Sequence, residues 1–331
     1  MASSVRPGFS RHISGVGLAI ALLTGCGGLQ NTVSGGVPQG GALTNQGTAH
    51  RSLSSSGDLL YVATSKAIVV VSYPQFKIVG SLPLSYGYSG ICSDPNNGNV
   101  FVAESTQVVV YAHGGTSPIA TLSPPPGYTN LSACSVDPTT DNLAVSSMGP
   151  PPKQGAILVF AKGEGNATPR VDRNLDWYRY PAYDNNGNLF LTCWTQHGQF
   201  HIEELPAGRN QFKSIKVNVG FSADKIQWDG TYLAFEEHEG HGSTLYQLQI
   251  TGDIGTVAGY KTFFEAGEPS NFWIQDGVLF NALSQVERGN DEGIGVWPYP
   301  SGGEPSSRRF GLTKGKRDNI SDLALSVAPS R

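Results

Sequence analysis

Ser89-Gly90-Ile91-Cys92-Ser93-Asp94-Pro95-Asn96-Asn97-Gly98-Asn99-Val100-Phe101-Val102-Ala103 is the stretch from which the fold can be read. A short run ends on an Asp, a turn of Pro, Asn and Gly follows, and an apolar run then resumes. Pro presets one turn dihedral, Gly and Asn tolerate positive φ, and Asp caps nearby amides, so two antiparallel strands and a tight turn are predicted. The grammar returns at Ser132-Ala133-Cys134-Ser135-Val136-Asp137, where a turn through Asn142 leads into Leu143-Ala144-Val145. It returns again at Asp184-Asn185-Asn186-Gly187-Asn188, ahead of Leu189-Phe190-Leu191, and weaker copies end at Asp229 and Asp276. The intervals between these Asp residues are 43, 47, 45 and 47.

A third strand follows each pair, as in Val108–Tyr111, Ile157–Phe160 and Ile294–Trp297, and a fourth closes the unit, as in Ile119–Leu122. Four short strands per roughly 45 residues is the period of a β-propeller blade. Gly57–Val62 already reads as a second strand, so the first blade lacks its innermost one. Asn319-Ile320-Ser321-Asp322-Leu323-Ala324-Leu325-Ser326 aligns with Asn130–Asp137 and supplies it. The fold expected is therefore all-β: a six-bladed β-propeller with four antiparallel strands per blade, the C-terminal strand completing the first blade and removing open sheet edges. Five blades start near residues 86, 128, 172, 218 and 264. Val278–Glu287 has a helical alternative, but Asp276-Gly277 stands at the expected turn and argues for strand then loop. Over residues 57–328 the chain resembles the NHL-like and gluconolactonase-like six-bladed propellers of bacterial envelope proteins. The resemblance implies an envelope propeller and transfers no activity.

Charged residues make up 15% of the 331-residue chain, against roughly a quarter in an average soluble domain. The net charge of −4 gives no electrostatic footprint for nucleic acid. Arg6 and Arg11 precede an uncharged run, Ile13–Leu23, that is too short to cross a bilayer and fits a signal sequence. Leu23-Thr24-Gly25-Cys26 then resembles a bacterial lipobox, with Cys26 as the lipidated residue. Residues 1–25 are thus read as a signal peptide, 26–56 as a lipidated Cys and flexible linker, and 57–331 as the propeller. The expected address is a bacterial cell envelope, with membrane association by the lipid anchor only. Cys92, Cys134 and Cys193 lie in predicted strands without metal spacing, so buried free thiols are expected, although one pair suits an oxidising envelope.

In such a fold the second-to-third loops and the blade-to-blade connections share one face. The unusual residues gather there: Glu104, Trp177, Tyr178, Arg179, Trp194, His197, Glu236 and His238, with Tyr86, Tyr88 and Phe221 nearby. Five residues before each repeat Asp, or before its equivalent Ser326, stand Ser89, Ser132, Arg179, Asp224, Asn271 and Ser321. This register predicts polar contacts between blades around the channel, with Arg179 pairing to Asp224. Aromatic rings stack on sugars or apolar side chains and carboxylates accept hydrogen bonds, so the face predicts a protein, peptide or glycan partner. A monomeric, non-catalytic binding or scaffolding module without a cofactor is expected. The alternative is a metal-dependent, gluconolactonase-like hydrolase, which needs several carboxylates and amides converging on Ca²⁺ or another divalent ion. Neither His238-Glu239-Gly240-His241 nor the His197/His201 pair makes an HExxH site, and there is no GxSxG elbow or P-loop.

Overall fold

A computed structural model describes residues 57–85, 90–148, 155–217, 223–239, 242–267, 272–283, 293–312 and 319–329, apart from the side chains of His238 and Glu239. Residues 1–56, with Cys26, and the positions of Tyr86, Tyr88, Ser89, Phe221 and Asn271 lie outside the described residues. The regular elements described are all strands, apart from one 3-10 turn at Ala161–Gly163.

The first three strands are β1 (Leu59–Thr64), β2 (Ala67–Ser72) and β3 (Lys77–Pro83). Next come β4 (Gly90–Ser93), β5 (Val100–Glu104), β6 (Gln107–Tyr111) and β7 (Pro118–Leu122), then β8 (Leu131–Val136), β9 (Leu143–Ser147), β10 (Ala156–Phe160) and β11 (Ala167–Arg170). A fourth set is β12 (Leu175–Tyr183), β13 (Leu189–Thr195), β14 (Phe200–Leu205) and β15 (Lys213–Val217). It is followed by β16 (Ile226–Trp228), β17 (Leu233–Glu239), β18 (Gly242–Thr251) and β19 (Ile254–Phe264). The chain finishes with β20 (Phe272–Gln275), β21 (Val278–Ala282), β22 (Ile294–Pro298), β23 (Ser307–Arg309) and β24 (Ile320–Ser326).

These strands form a propeller-like set of sheets. Four are four-stranded: β24-β1-β2-β3, β4-β5-β6-β7, β8-β9-β10-β11 and β20-β21-β22-β23. The C-terminal strand pairs antiparallel with β1, from Leu59↔Ser326 to Ala63↔Asp322, as the alignment of the chain ends predicts. The remaining strands depart from the expected separate blades. They form one eight-stranded sheet, β12-β13-β14-β15-β19-β18-β17-β16, whose two central strands, β15 and β19, pair in parallel. The join is narrow: Lys216↔Ile254 and Val217↔Gly255. It exists because the β18–β19 hairpin is long and its turn reaches the neighbouring edge, where the Lys216 N–H donates to the Asp253 carbonyl at 2.8 Å.

The repeated Asp residues organise the turns. Asp94 Oδ1 accepts the Asn96 N–H, Asp137 Oδ1 that of Thr139, Asp184 Oδ1 those of Asn186 and Asn188, and Asp229 Oδ1 that of Thr231, each at 2.8 Å. Asp276 works differently. With φ of 49°, followed by Gly277 at 74°, it makes a two-residue turn between Gln275 and Val278, and Val278–Ala282 is a strand rather than a helix. Neighbouring turns touch, as where Asn96 Nδ2 donates to Asp141 Oδ1 at 2.7 Å and Asn185 Nδ2 to the Gly230 carbonyl at 3.1 Å.

Between sheets the packing is apolar. Phe101 and Val110 of one sheet meet Leu131, Leu143 and Phe160 of the next, all buried; each such side chain contributes about 1.5–3 kcal/mol. The inner strands approach closely, and a Cβ on Gly90 would lie 1.9 Å from the Ser132 carbonyl oxygen. Beside this contact Cys92 and Cys134 form a disulfide with a Cα–Cα separation of 5.6 Å, while Cys193 is free and buried. The expectation of three unpaired thiols is therefore corrected for two of them: neighbouring inner strands carry both cysteines at the same height.

Candidate functional site

The ends of β12 and β13 build the loop-face site. Trp177 and Trp194 are register partners across these strands. Trp177 is 55% exposed, because the side chain two residues beyond buried Leu175 turns outward at a bulge. Trp194 is half-buried, with Phe200 edge-on to it at 5.3 Å. The Arg179 guanidinium lies over the rings of Tyr180 and Trp194, at 5.6 and 5.8 Å from their centroids. Its Nη2 donates to Asp224 Oδ1 at 3.4 Å, from the start of the next inner strand, and Nη1 lies 3.9 Å from Met148 Sδ. The predicted Arg179–Asp224 pair thus forms, with both side chains partly exposed. His197 sits on the exposed β13–β14 turn, where its N–H donates to Thr195 Oγ1.

Other predicted binding residues are structural. Tyr178 is fully buried, and its hydroxyl both accepts the Asp172 N–H at 2.6 Å and donates to the Asp172 carbonyl at 3.1 Å. Burial pushes its phenol pKa well up. Its ring is therefore not available for stacking, since alternation along β12 sends it into the core and leaves Trp177 outside. Glu104 is buried too, its Oε1 accepting the Ser85 N–H at 2.9 Å and its Oε2 the Gln107 amide at 2.8 Å. Glu236 is buried against Asn281 of another sheet, accepting its Nδ2–H at 2.7 Å. Both acids join segments rather than face solvent. His238 pairs with Ser243 in the β17–β18 ladder, and its side chain lies outside the described residues.

The polar register around the channel holds only in part. Ser132 bonds to Ser146 at 2.9 Å and Ser321 donates to the Ala63 carbonyl at 3.4 Å, each to the adjacent strand, so of the described members only Arg179 and Asp224 pair with each other, across the two ends of the eight-stranded sheet. The stronger contact lies one position along. Lys225 Nζ donates to Asp322 Oδ1 in a buried ion pair, while Nζ stands 5.8 and 5.7 Å from the centroids of Phe272 and Trp273. Asp322 also accepts the N–H groups of Ile91 at 3.0 Å and Leu323 at 2.8 Å. Burial raises its carboxyl pKa while Lys225 and these donors oppose that rise. Trp273 packs against the apolar clusters of three sheet interfaces. From this level a cavity of about 410 Å³, lined by Ile91, Ala133, Ala182, Lys225, Trp273 and Asp322, extends to the turns of Asp94, Asp229 and Asp276. Sequence reasoning missed this pair, although opposite charges at one repeat position, four residues before Asp229 and four before Ser326, were the signal.

The carboxylates on which a divalent site would draw are engaged elsewhere: Asp224 with Arg179, Asp322 with Lys225, and Glu104 and Glu236 with amides. Among the described residues no group of three or more His, Cys, Asp or Glu could hold a metal ion. The arrangement offers recognition chemistry: an exposed aromatic shelf, a ring-supported cation and an anion beside it.

No protein-family model matches the sequence, and no curated protein matches it. Solved structures do resemble the fold. A chain of a nidogen/laminin complex superposes with a TM-score of 0.60 at 11% identity, over 83% of this chain and 100% of that one. A protein of unknown function from Bacteroides caccae gives 0.56 at 15% identity, over 82% and 99%. A TolB-like protein from Agrobacterium tumefaciens gives 0.53 at 10% identity, over 83% and 98%. Nidogen and TolB are β-propeller proteins, and at these identities the likeness carries the propeller arrangement alone.

Proposed function

We propose that this chain is a lipid-anchored, six-bladed propeller of a bacterial cell envelope that binds a protein, peptide or glycan partner through its loop face, without catalysis and without a cofactor. In this reading the eight-stranded sheet is two blades joined edge to edge through β15 and β19, which brings the count to six. The observation that carries the binding role is the Trp177–Trp194–Arg179–Asp224 cluster. An exposed Trp on the strand pair that carries a ring-supported guanidinium is a composition enriched in binding centres. The resemblance to a chain from a protein–protein complex, nidogen/laminin, supports a propeller used as a binding scaffold. Lys225, Asp322 and the disulfide then serve to keep the scaffold rigid, which lowers the ordering cost of binding.

The anchoring is tested by Cys26→Ala, which should move the protein from the membrane to the soluble fraction; continued dependence on detergent contradicts it. The binding role is tested by recovery of a partner from membranes with wild type and with a Trp177→Ala/Trp194→Ala variant. Equal recovery of the same partner contradicts the loop face as the binding surface.

A further inference from the structure

We infer that Arg179 is the anchor for a carboxylate of a bound peptide, either its C terminus or an acidic side chain, a reading that rests on the loop face being the binding surface. The guanidinium is supported by two rings yet little used. It carries five N–H donors in a planar fork suited to bidentate carboxylate binding. Among the described residues its hydrogen-bond contacts are one long bond to Asp224 Oδ1, at 3.4 Å, and a thioether sulfur at 3.9 Å. The Tyr180 and Trp194 ring centroids lie 5.6 and 5.8 Å from the guanidinium, and their attraction to the cation persists when its counter-ion leaves.

Asp224 fits the part of an exchangeable partner. Its side chain is 45% exposed and that of Arg179 is 31% exposed, so an incoming carboxylate can reach the fork and Asp224 can turn to water or to a peptide N–H. Trp177 is 55% exposed and in register with Trp194, whose ring underlies the guanidinium, and so offers a shelf on the same strand pair for the adjoining apolar side chain. A neutral glycan brings no group that would displace a carboxylate from a guanidinium. A peptide brings the carboxylate, the N–H and the apolar side chain at neighbouring positions.

The test is calorimetric titration of the full-length protein in detergent with three peptides and one acidic glycan: acetyl-Ala-Phe-Ala with a free carboxylate, its amide, acetyl-Ala-Phe-Glu-amide, and trigalacturonate. At least one carboxylate peptide should bind saturably, about tenfold more tightly than the neutral amide. The preferred probe identifies the source, C terminus or side chain. Arg179→Met should abolish the difference and Arg179→Lys should lose most of it, because an ammonium cannot make the fork. Asp224→Asn should tighten binding several-fold by removing the competing anion; unchanged or weaker binding by that variant overturns the inference even if Arg179→Met fails to fold. Equal binding of all three peptides that is lost in Trp177→Ala also overturns it, while leaving the loop face as the binding surface. Preference for trigalacturonate over every peptide overturns the peptide assignment, and absence of binding by all three peptides overturns the anchor.

Discussion

Lys225 and Asp322 meet as a buried ion pair between β16's approach and the C-terminal strand, with Trp273 of the intervening sheet against the ammonium. Because Asp322 also holds the Ile91 N–H, one carboxylate ties β24 both to β4 and to the segment leading into β16. Removing either partner leaves an uncompensated buried charge, which costs about 3–5 kcal/mol. Asp322→Ala and Lys225→Met should each lower the urea midpoint sharply, and Lys225→Met/Asp322→Leu should recover much of the loss. Single variants as stable as wild type would refute the pair as the lock on the closing strand.

The disulfide between Cys92 and Cys134 closes a sequence separation of 42 residues across neighbouring inner strands. Chain-entropy reasoning gives such a loop about 4 kcal/mol as an upper figure. Cys92→Ala/Cys134→Ala should reduce the unfolding free energy by a substantial part of that amount, and reductant should then have no further effect. Unaltered stability in the double variant would show that the cross-link contributes nothing.

His113 clasps the two ends of the described chain. Its Nε2 lies 3.1 Å from the Gly57 carbonyl and its Nδ1 2.7 Å from Ser326 Oγ. Burial holds the imidazole pKa below its ordinary 6.5, although Gly57 and Asp58 act the other way. A group that binds its proton less readily when folded loses stability as the pH falls from about 6.5 through the depressed folded pKa. The melting temperature should therefore drop more steeply between pH 7.5 and 5.5 in wild type than in His113→Asn. Parallel pH profiles would contradict this.

Trp177 and Tyr178 are adjacent and predict opposite outcomes. Tyr178→Phe removes the hydroxyl clamp on Asp172 and should cost about 1 kcal/mol of stability without altering binding. Trp177→Ala should stay within about 0.5 kcal/mol of wild type, as exposed positions do, yet weaken partner binding. The reverse pattern in thermal melts and binding assays would refute the assignment of faces.

Much of the fold is legible in the sequence because its signals are local. The Asp of each turn bonds amides two to four residues away, and Asp276-Gly277 sets its own hairpin. The chain ends pair as predicted because β24 repeats the pattern of β8. What escaped reading depends on distant neighbours. Lys225 and Asp322 are 97 residues apart, and the β15–β19 join follows from the reach of one long hairpin. Cys92 and Cys134 differ by nearly one repeat, a signal that was present but not decisive. At the site, Arg179 and Asp224 pair as the register implies, and Trp194, singled out from its loop, lies under the guanidinium with Trp177 as its register partner. Glu104, Tyr178 and Glu236 do not join them, because composition alone does not tell a core or strut residue from an exposed one.

The most direct test of the loop face as the binding surface is photo-cross-linking in cells, with a benzoylphenylalanine at position 177 or, on the turn face, at exposed position 186. The account predicts one discrete adduct from position 177, with its partner identified by mass spectrometry, lost on adding Arg179→Met and absent from position 186. Adducts of equal yield from both faces, or from position 186 alone, would contradict it.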